Sequence, residues 1–146
     1  MKRSKGRKGW RRRVAEGVCE VDFVDPVEVA AARKASPEEP ILRAAAEAFH
    51  VLSNPSRLRI LLGLEGRELC VCDLAALLGL SMAGTSQQLK ELRNAGAVAY
   101  RAQGKLAYYR IADPSWLKLA RSALEGAAVR PGVPPLRGVV VERAAS

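Results

Sequence analysis

LCVCDLAALLGLSMAGTSQQLKELRNAGAVAYRAQGKLAYYRI, residues 69–111, contains two helical patterns separated by a very short break, followed by two β-prone runs. The first helical pattern covers roughly 69–78. Gly79-Leu80 interrupts it, and Ser81 is a good N-cap for a second helix over 82–95, which Asn94-Ala95-Gly96 stops. AVAYRA (97–102) and LAYYRIA (106–112) favour strands, with Gln103-Gly104-Lys105 joining them as a short hairpin. Helix, tight turn, helix and hairpin in this order predict a mainly α winged helix-turn-helix.

Upstream, ILRAAAEAFHVLS (41–53) places Ile41, Leu42, Ala45, Phe49 and Leu52 on one helical face. Asn54-Pro55 stops that helix and reads as N-cap and first residue of the next, whose Leu58, Ile60, Leu61, Leu62 and Leu64 suit burial and whose end Gly63 and Gly66 mark. VEVAAARKA (27–35) after Pro26 is helix-prone, and SPEEP (36–40) breaks it, with Ser36 able to cap. Downstream, Asp113 caps and Pro114 starts a last amphipathic helix to 126, carrying Trp116, Leu117, Ala120, Ala123 and Leu124. The expected organisation is a disordered basic arm (1–13), a segment with Cys19 and a helix (14–40), the winged domain (41–126) and a flexible tail (127–146), within which VVVE could pair as a short strand.

The formal net charge of +9 is concentrated at one end. Residues 1–13 hold eight Lys/Arg and no acid, leaving 16 basic against 15 acidic residues elsewhere. Such an arm either adds salt-sensitive affinity for nucleic acid or is simply solvated. No run of eighteen apolar residues exists to span a membrane. Glu16, Glu20, Asp22 and Asp25 stand where a signal peptide needs an apolar core, so the expected location is the cytoplasm.

On SMAGTSQQLKELRNAG (81–96), at about 100° per residue, Met82, Thr85, Leu89 and Leu92 fall on the core side. Ala83, Gly84, Gln87, Lys90, Glu91 and Asn94 lie opposite, flanked by Ser86 and Gln88. Small residues let a backbone approach DNA, and a glutamine can pair bidentately with adenine N6/N7 in the major groove. Ser86 and Lys90 suit phosphates. The hairpin adds Arg101, Gln103, Lys105 and Arg110. The set expected to contact DNA is Ser81, Gly84, Thr85, Ser86, Gln87, Gln88, Lys90, Arg101, Gln103 and Lys105. A solvated polar face is the plainer reading of the helix alone; its place between a tight turn and a basic hairpin favours double-stranded DNA.

Three cysteines in a reducing compartment cannot all pair within one chain. Cys70 and Cys72 diverge by about 200° on a regular helix, a poor ligand pair. At a helix start the first residue can stay outside helical geometry, and unpaired N–H groups there favour thiolate. Burial as small hydrophobes is the competing reading.

AFHVLSNPSRLRILLGL, ELCVCDLAALLGL, TSQQLKELRNAGAV and RAQGKLAYYRI together resemble the ArsR/SmtB family of metal-responsive repressors over about residues 41–125. VCEVDFVDPVEV around Cys19 further resembles the N-terminal region of the CadC-like, cadmium/lead-sensing branch. The resemblance implies a homodimer, paired through roughly 27–52 and 114–125, that binds an imperfect inverted repeat and is released by metal. It also implies that Cys19 of one protomer closes over the Cys70–Cys72 helix of the other. Phe23 stands where that branch carries a second N-terminal cysteine, so the expected metal set is Cys19, Cys70 and Cys72. Three thiolates suit trigonal Pb(II), As(III), Sb(III) or Bi(III), and Cd(II) with an oxygen added from water, Glu20, Asp22 or Asp73; the acids around Cys19 favour a divalent cation over neutral arsenous acid and put Cd(II) and Pb(II) ahead of arsenite. Structural Zn(II) prefers four closed ligands. The family's zinc site on the last helix is expected to be lost, because Ser115, Gly126 and Val129 replace its ligands beside Asp113. His50 reads as an ordinary polar position.

Two other functions fit parts of the sequence: a thiol-redox regulator joining Cys70 or Cys72 to Cys19 as a disulfide, and an architectural DNA binder driven by the basic arm. One histidine, no nucleophile motif and no phosphate-cradling loop argue against an enzyme.

Overall fold

The computed structural model describes Gly17, Cys19 and residues 23–134. The expected basic arm (1–13), the VVVE segment, most of the tail, and Glu20 and Asp22 lie outside the described residues. The chain divides into two compact units between Glu38 and Glu39, two residues before the boundary expected from sequence.

The first unit contains α1 (Pro26–Ala35). Asp25 caps it, its carboxylate accepting from the N–H groups of Val27 and Glu28 at 3.1 and 3.3 Å. Ser36 closes α1, its N–H donating to the carbonyls of Ala32 and Arg33. No α1 residue is buried.

The second unit runs α2 (Glu39–Leu52), α3 (Pro55–Gly63), β1 (Leu69–Cys70), α4 (Val71–Leu78), α5 (Met82–Asn94), β2 (Val98–Gln103), β3 (Leu106–Ile111) and α6 (Pro114–Ala128). Local chemistry accounts for most boundaries. Asn54 accepts from the N–H groups of Ser56 and Arg57 ahead of α3, with Pro55 in the first turn where its missing N–H costs nothing. Asp113 and Pro114 repeat the device for α6. Gly79 ends α4 at φ 65°, a left-handed cap that a side chain would strain. α6 continues two residues past the expected end at Gly126, through the good helix formers Ala127 and Ala128.

β1, β3 and β2 form an antiparallel sheet in that spatial order. Gln103 pairs with Leu106, so Gly104-Lys105 makes a two-residue turn with Gly104 at φ 59°. The expected winged helix-turn-helix is therefore present, with one strand more than the sequence suggested. β1 stands where the sequence indicated the first turn of a helix.

The core is aliphatic. Ile60, Leu61, Leu64, Leu74, Leu89 and Leu92 are fully buried, joined by Val51, Leu52, Leu78, Val98, Tyr109 and Ala120. This cluster ties α3, α4 and α5 into one block, fixing the angle at which α5 stands out from the turn. Ile41, Leu42 and Phe49 of α2 stay exposed, at 61%, 42% and 59%. The apolar face expected of that helix thus has a covered end at Val51 and Leu52 and an open remainder. No helix among the described residues is long and apolar enough to cross a membrane.

Candidate nucleic-acid interface and thiolate pair

Ser81 sets the start of α5. Its hydroxyl oxygen accepts from the Gly84 N–H at 3.0 Å, and its carbonyl accepts from both the N–H and the hydroxyl of Thr85 at 2.9 Å. A Cβ on Gly84 would lie 3.2 Å from the Ser81 hydroxyl oxygen, so the small residue there also serves the cap. Thr85, expected to contact DNA, is fully buried. Its hydroxyl is spent on the preceding turn, which lets the rest of the side chain pack in the core. Met82, expected inside, is 49% exposed. It is the first residue of α5 and precedes the turn at which the helix meets the core.

Ser86, Gln87, Lys90 and Glu91 are exposed and Gln88 is half-buried. Gln87 Nε2 donates to Glu91 Oε1 at 3.1 Å, one helical turn on. Gln88 Oε1 accepts from Arg57 Nη1 at 3.2 Å. Arg57 is itself anchored, because Nε donates to the Val51 carbonyl and Nη2 to the His50 carbonyl, the latter at 3.1 Å. The end of α2 is thereby tied to the exposed side of α5. Arg57 is not distinguished in the sequence from Arg59, two residues on in the same helix; only its bonds to Val51, His50 and Gln88 set it apart. His50 is exposed, and its carbonyl also accepts from the Ser53 hydroxyl at 2.7 Å.

On the wing, Arg101 Nε donates to Glu68 Oε2 at 2.8 Å and Nη1 to Gln103 Oε1 at 2.7 Å. Its guanidinium also lies 4.9 Å from the centre of the Tyr108 ring. Lys105 is exposed at the hairpin tip. The predicted DNA-contacting residues apart from Thr85 thus lie on α5 and the wing, both positioned by the same core.

Cys70 belongs to two elements at once. It is the last residue of β1, paired with Tyr108, and it is the N-cap of α4 with extended backbone (φ −75°, ψ 165°). The Asp73 N–H donates to the Cys70 Sγ at 3.4 Å, while the Cys70 N–H donates to Asp73 Oδ2 at 3.1 Å. This reciprocal pair is a capping box with sulfur in place of a hydroxyl. Cys70 is buried and Cys72 exposed. The Asp73 N–H favours the Cys70 thiolate, but the Asp73 carboxylate, burial and a hydrogen bond with Cys72 together outweigh it and hold the thiol above its ordinary range. The thiolate expected from the helix start is opposed by the acid that completes the cap.

Both cysteines lie at one helix start, Cys70 outside helical geometry as the cap and Cys72 in the first turn. Cys19 lies in the first unit and is exposed. Among the described residues of a single chain, no group of three His, Cys, Asp or Glu side chains could hold a metal ion. At the last helix, Asp113 is occupied as a cap, accepting from the Ser115 N–H at 2.9 Å.

Residues 54–100 match the model of the bacterial regulatory protein, arsR family. A cadmium resistance transcriptional regulatory protein CadC homolog from Staphylococcus aureus is 36% identical over 112 residues, covering 75% of this chain and 91% of the relative. A transcriptional repressor SmtB homolog from Synechocystis is 44% identical over 80 residues, or 55% of this chain; the match spans only 61% of that relative's length. Among solved structures, the homodimeric winged helix-turn-helix DNA-binding domain of a possible ArsR-family regulator from Mycobacterium bovis superposes with a TM-score of 0.54 at 29% identity, covering 64% of this chain and 89% of the other.

Proposed function

Because the chain belongs to the ArsR family of bacterial regulatory proteins, we propose that it is a cytoplasmic transcriptional repressor that binds an imperfect inverted repeat as a homodimer and releases it when a thiophilic ion is bound. The observation that carries this reading is the double membership of Cys70, which caps the first helix of the helix-turn-helix and forms a rung of the wing.

Cys70 and Cys72 supply two sulfurs at one helix start, and Cys19 of the other protomer would complete the set. Soft thiolates prefer Cd(II) and Pb(II), with As(III) and Sb(III) the alternative. The cadmium-resistance regulator among the relatives favours the first pair. Bonds from sulfur to such an ion would supply the roughly 5 kcal/mol of differential binding that empties an operator. The remaining parts belong to the chain itself. Ser81 and Gly84 set the start of α5, Ser86, Gln87, Gln88 and Lys90 face the groove, and Arg101, Gln103 and Lys105 follow the adjoining backbone. The open Ile41, Leu42 and Phe49 face of α2 supports pairing of two copies, in line with the homodimeric M. bovis domain.

The test is a titration of Cd(II), Pb(II), arsenite and Zn(II) into the complex of the reduced protein with its own promoter DNA. Cd(II) or Pb(II) is expected to release the duplex and to produce a sulfur-to-metal absorption band, both lost in Cys70→Ser/Cys72→Ser. Release by none of the ions removes the sensing role. Release by peroxide alone, reversed by dithiothreitol, replaces it with thiol-redox sensing.

A further inference from the structure

Gln87 and Gln88 are neighbours in sequence, carry the same side chain, and are held by partners of opposite character. The guanidinium of Arg57 can only donate, so the end of Gln88 that meets it is the carbonyl oxygen. The carboxylate of Glu91 in its ionised form only accepts, so the end of Gln87 that meets it is the amide nitrogen. Each side chain therefore has one end engaged and the other unpaired within the described residues. No buried side-chain nitrogen or oxygen there lacks a hydrogen-bond partner, so the unpaired Nε2 of Gln88 is open to solvent. Gln87 is exposed.

We propose that the two glutamines read base edges with opposite polarity, Gln88 as a donor held by Arg57 and Gln87 as an acceptor held by Glu91. This rests on the reading of α5 as the groove-facing helix. Bidentate pairing of a glutamine with adenine needs the amide oxygen and nitrogen together. Held as they are, Gln88 has one of its two acceptor lone pairs taken and Gln87 one of its two N–H donors, which tilts Gln88 toward donating and Gln87 toward accepting. Gln88 presents N–H groups, which suit the O6 and N7 acceptors of guanine. Gln87 presents its oxygen, which suits the N4 amino group of cytosine or the N6 amino group of adenine. Arg57 is a positioning residue here: two backbone carbonyls at the end of α2 fix its fork before it reaches Gln88, so the polarity of Gln88 is set without DNA.

A merely structural role for the two contacts predicts the reverse chemistry, which makes the test sharp. Were Gln88 only a strut to Arg57, Gln88→Glu would preserve it and Gln88→Lys would repel the guanidinium. Were Gln87 only a strut to Glu91, Gln87→Lys would preserve it and Gln87→Glu would break it. Base reading predicts the opposite order at both positions.

The experiment is selection of duplexes from a randomised pool by the full-length protein and these four variants at one fixed salt concentration, with thermal midpoints recorded alongside. Base preference is read as a ratio at each position, because an added charge changes affinity for every sequence. The wild type is expected to enrich guanine at the position read by Gln88, and cytosine or adenine at that read by Gln87. Gln88→Lys and Gln87→Glu keep those preferences, while Gln88→Glu and Gln87→Lys lose them by about five-fold or more, the lower end of the discrimination of a bidentate base contact. Arg57→Met releases the Gln88 amide, so that adenine is accepted beside guanine. Preferences that follow the strut order, adenine enriched at both wild-type positions, or no position responding to any variant overturns the inference while leaving α5 as the reading helix. No enriched sequence at all removes that reading, and the inference with it.

Discussion

Cys70 and Tyr108 face each other across the β1–β3 ladder, so the residue that caps α4 and a tyrosine of the wing share one rung. Tyr108 in turn lies under the Arg101 guanidinium, which is bonded to Glu68, two residues before Cys70. A displacement at the Cys70 sulfur thus has a short, contiguous route to a wing cation. Adding one equivalent of Cd(II) to the DNA-free protein is expected to shift the amide resonances of Tyr108 and Arg101 in the wild type and not in Cys70→Ser. Shifts confined to α4 would show that the wing is not coupled.

The turn between α4 and α5 depends on Gly79 at φ 65°, where an added Cβ would meet nothing within 4 Å. The cost of a side chain is therefore conformational rather than steric. Gly79→Ala is expected to destabilise the fold by about 1–2 kcal/mol and Gly79→Asn by less, since asparagine visits this region more readily. Urea denaturation checks it as a lower midpoint with an unchanged slope.

Arg101 is engaged with Glu68 and Gln103, whereas Lys105 stands exposed at the tip of the wing. Lys105→Ala is expected to weaken DNA binding about equally for all sequences. The slope of log affinity against log salt should fall by about 1, as one phosphate is no longer neutralised. A change in base preference instead would place Lys105 at a base edge.

The N–H and hydroxyl of Ser115, with a smaller contribution from Lys118, hold the Asp113 carboxyl below its ordinary range. A carboxylate depressed in the folded state stabilises it fully above the unfolded pKa, and that stabilisation is lost as pH falls through the folded value. The melting temperature of the wild type is expected to drop more steeply below the usual carboxylate range than that of Asp113→Asn, whose amide cannot titrate. Parallel curves would exclude Asp113 as a source of the acid sensitivity.

What could be read from sequence and what could not divides along the range of the interactions. Asn54-Pro55, Ser81 and Asp113-Pro114 announce helix starts because a cap is settled within three residues. The hairpin was legible for the same reason. β1 was not: its two residues carry no periodicity, and their partners, Tyr109 and Tyr108, lie far along the chain. Periodicity placed Met82 in the core because it counts angle and not distance from the packing block, so a first-turn residue was misjudged. Thr85 fell on the inward side by that same count but was still assigned to DNA, a conflict resolved by its hydroxyl turning to Ser81. The cysteine pair was legible as a helix start, while the Asp73 carboxylate that opposes ionisation there emerges only from the cap geometry.

The bare aliphatic and aromatic row on α2 bears on how much regulator a cell can hold. A solitary copy carries Ile41, Leu42 and Phe49 open to water, the kind of surface that invites adhesion and degradation. Pairing through this row would withdraw it from water, so the concentration at which two copies meet sets how much of the chain is spared that hazard.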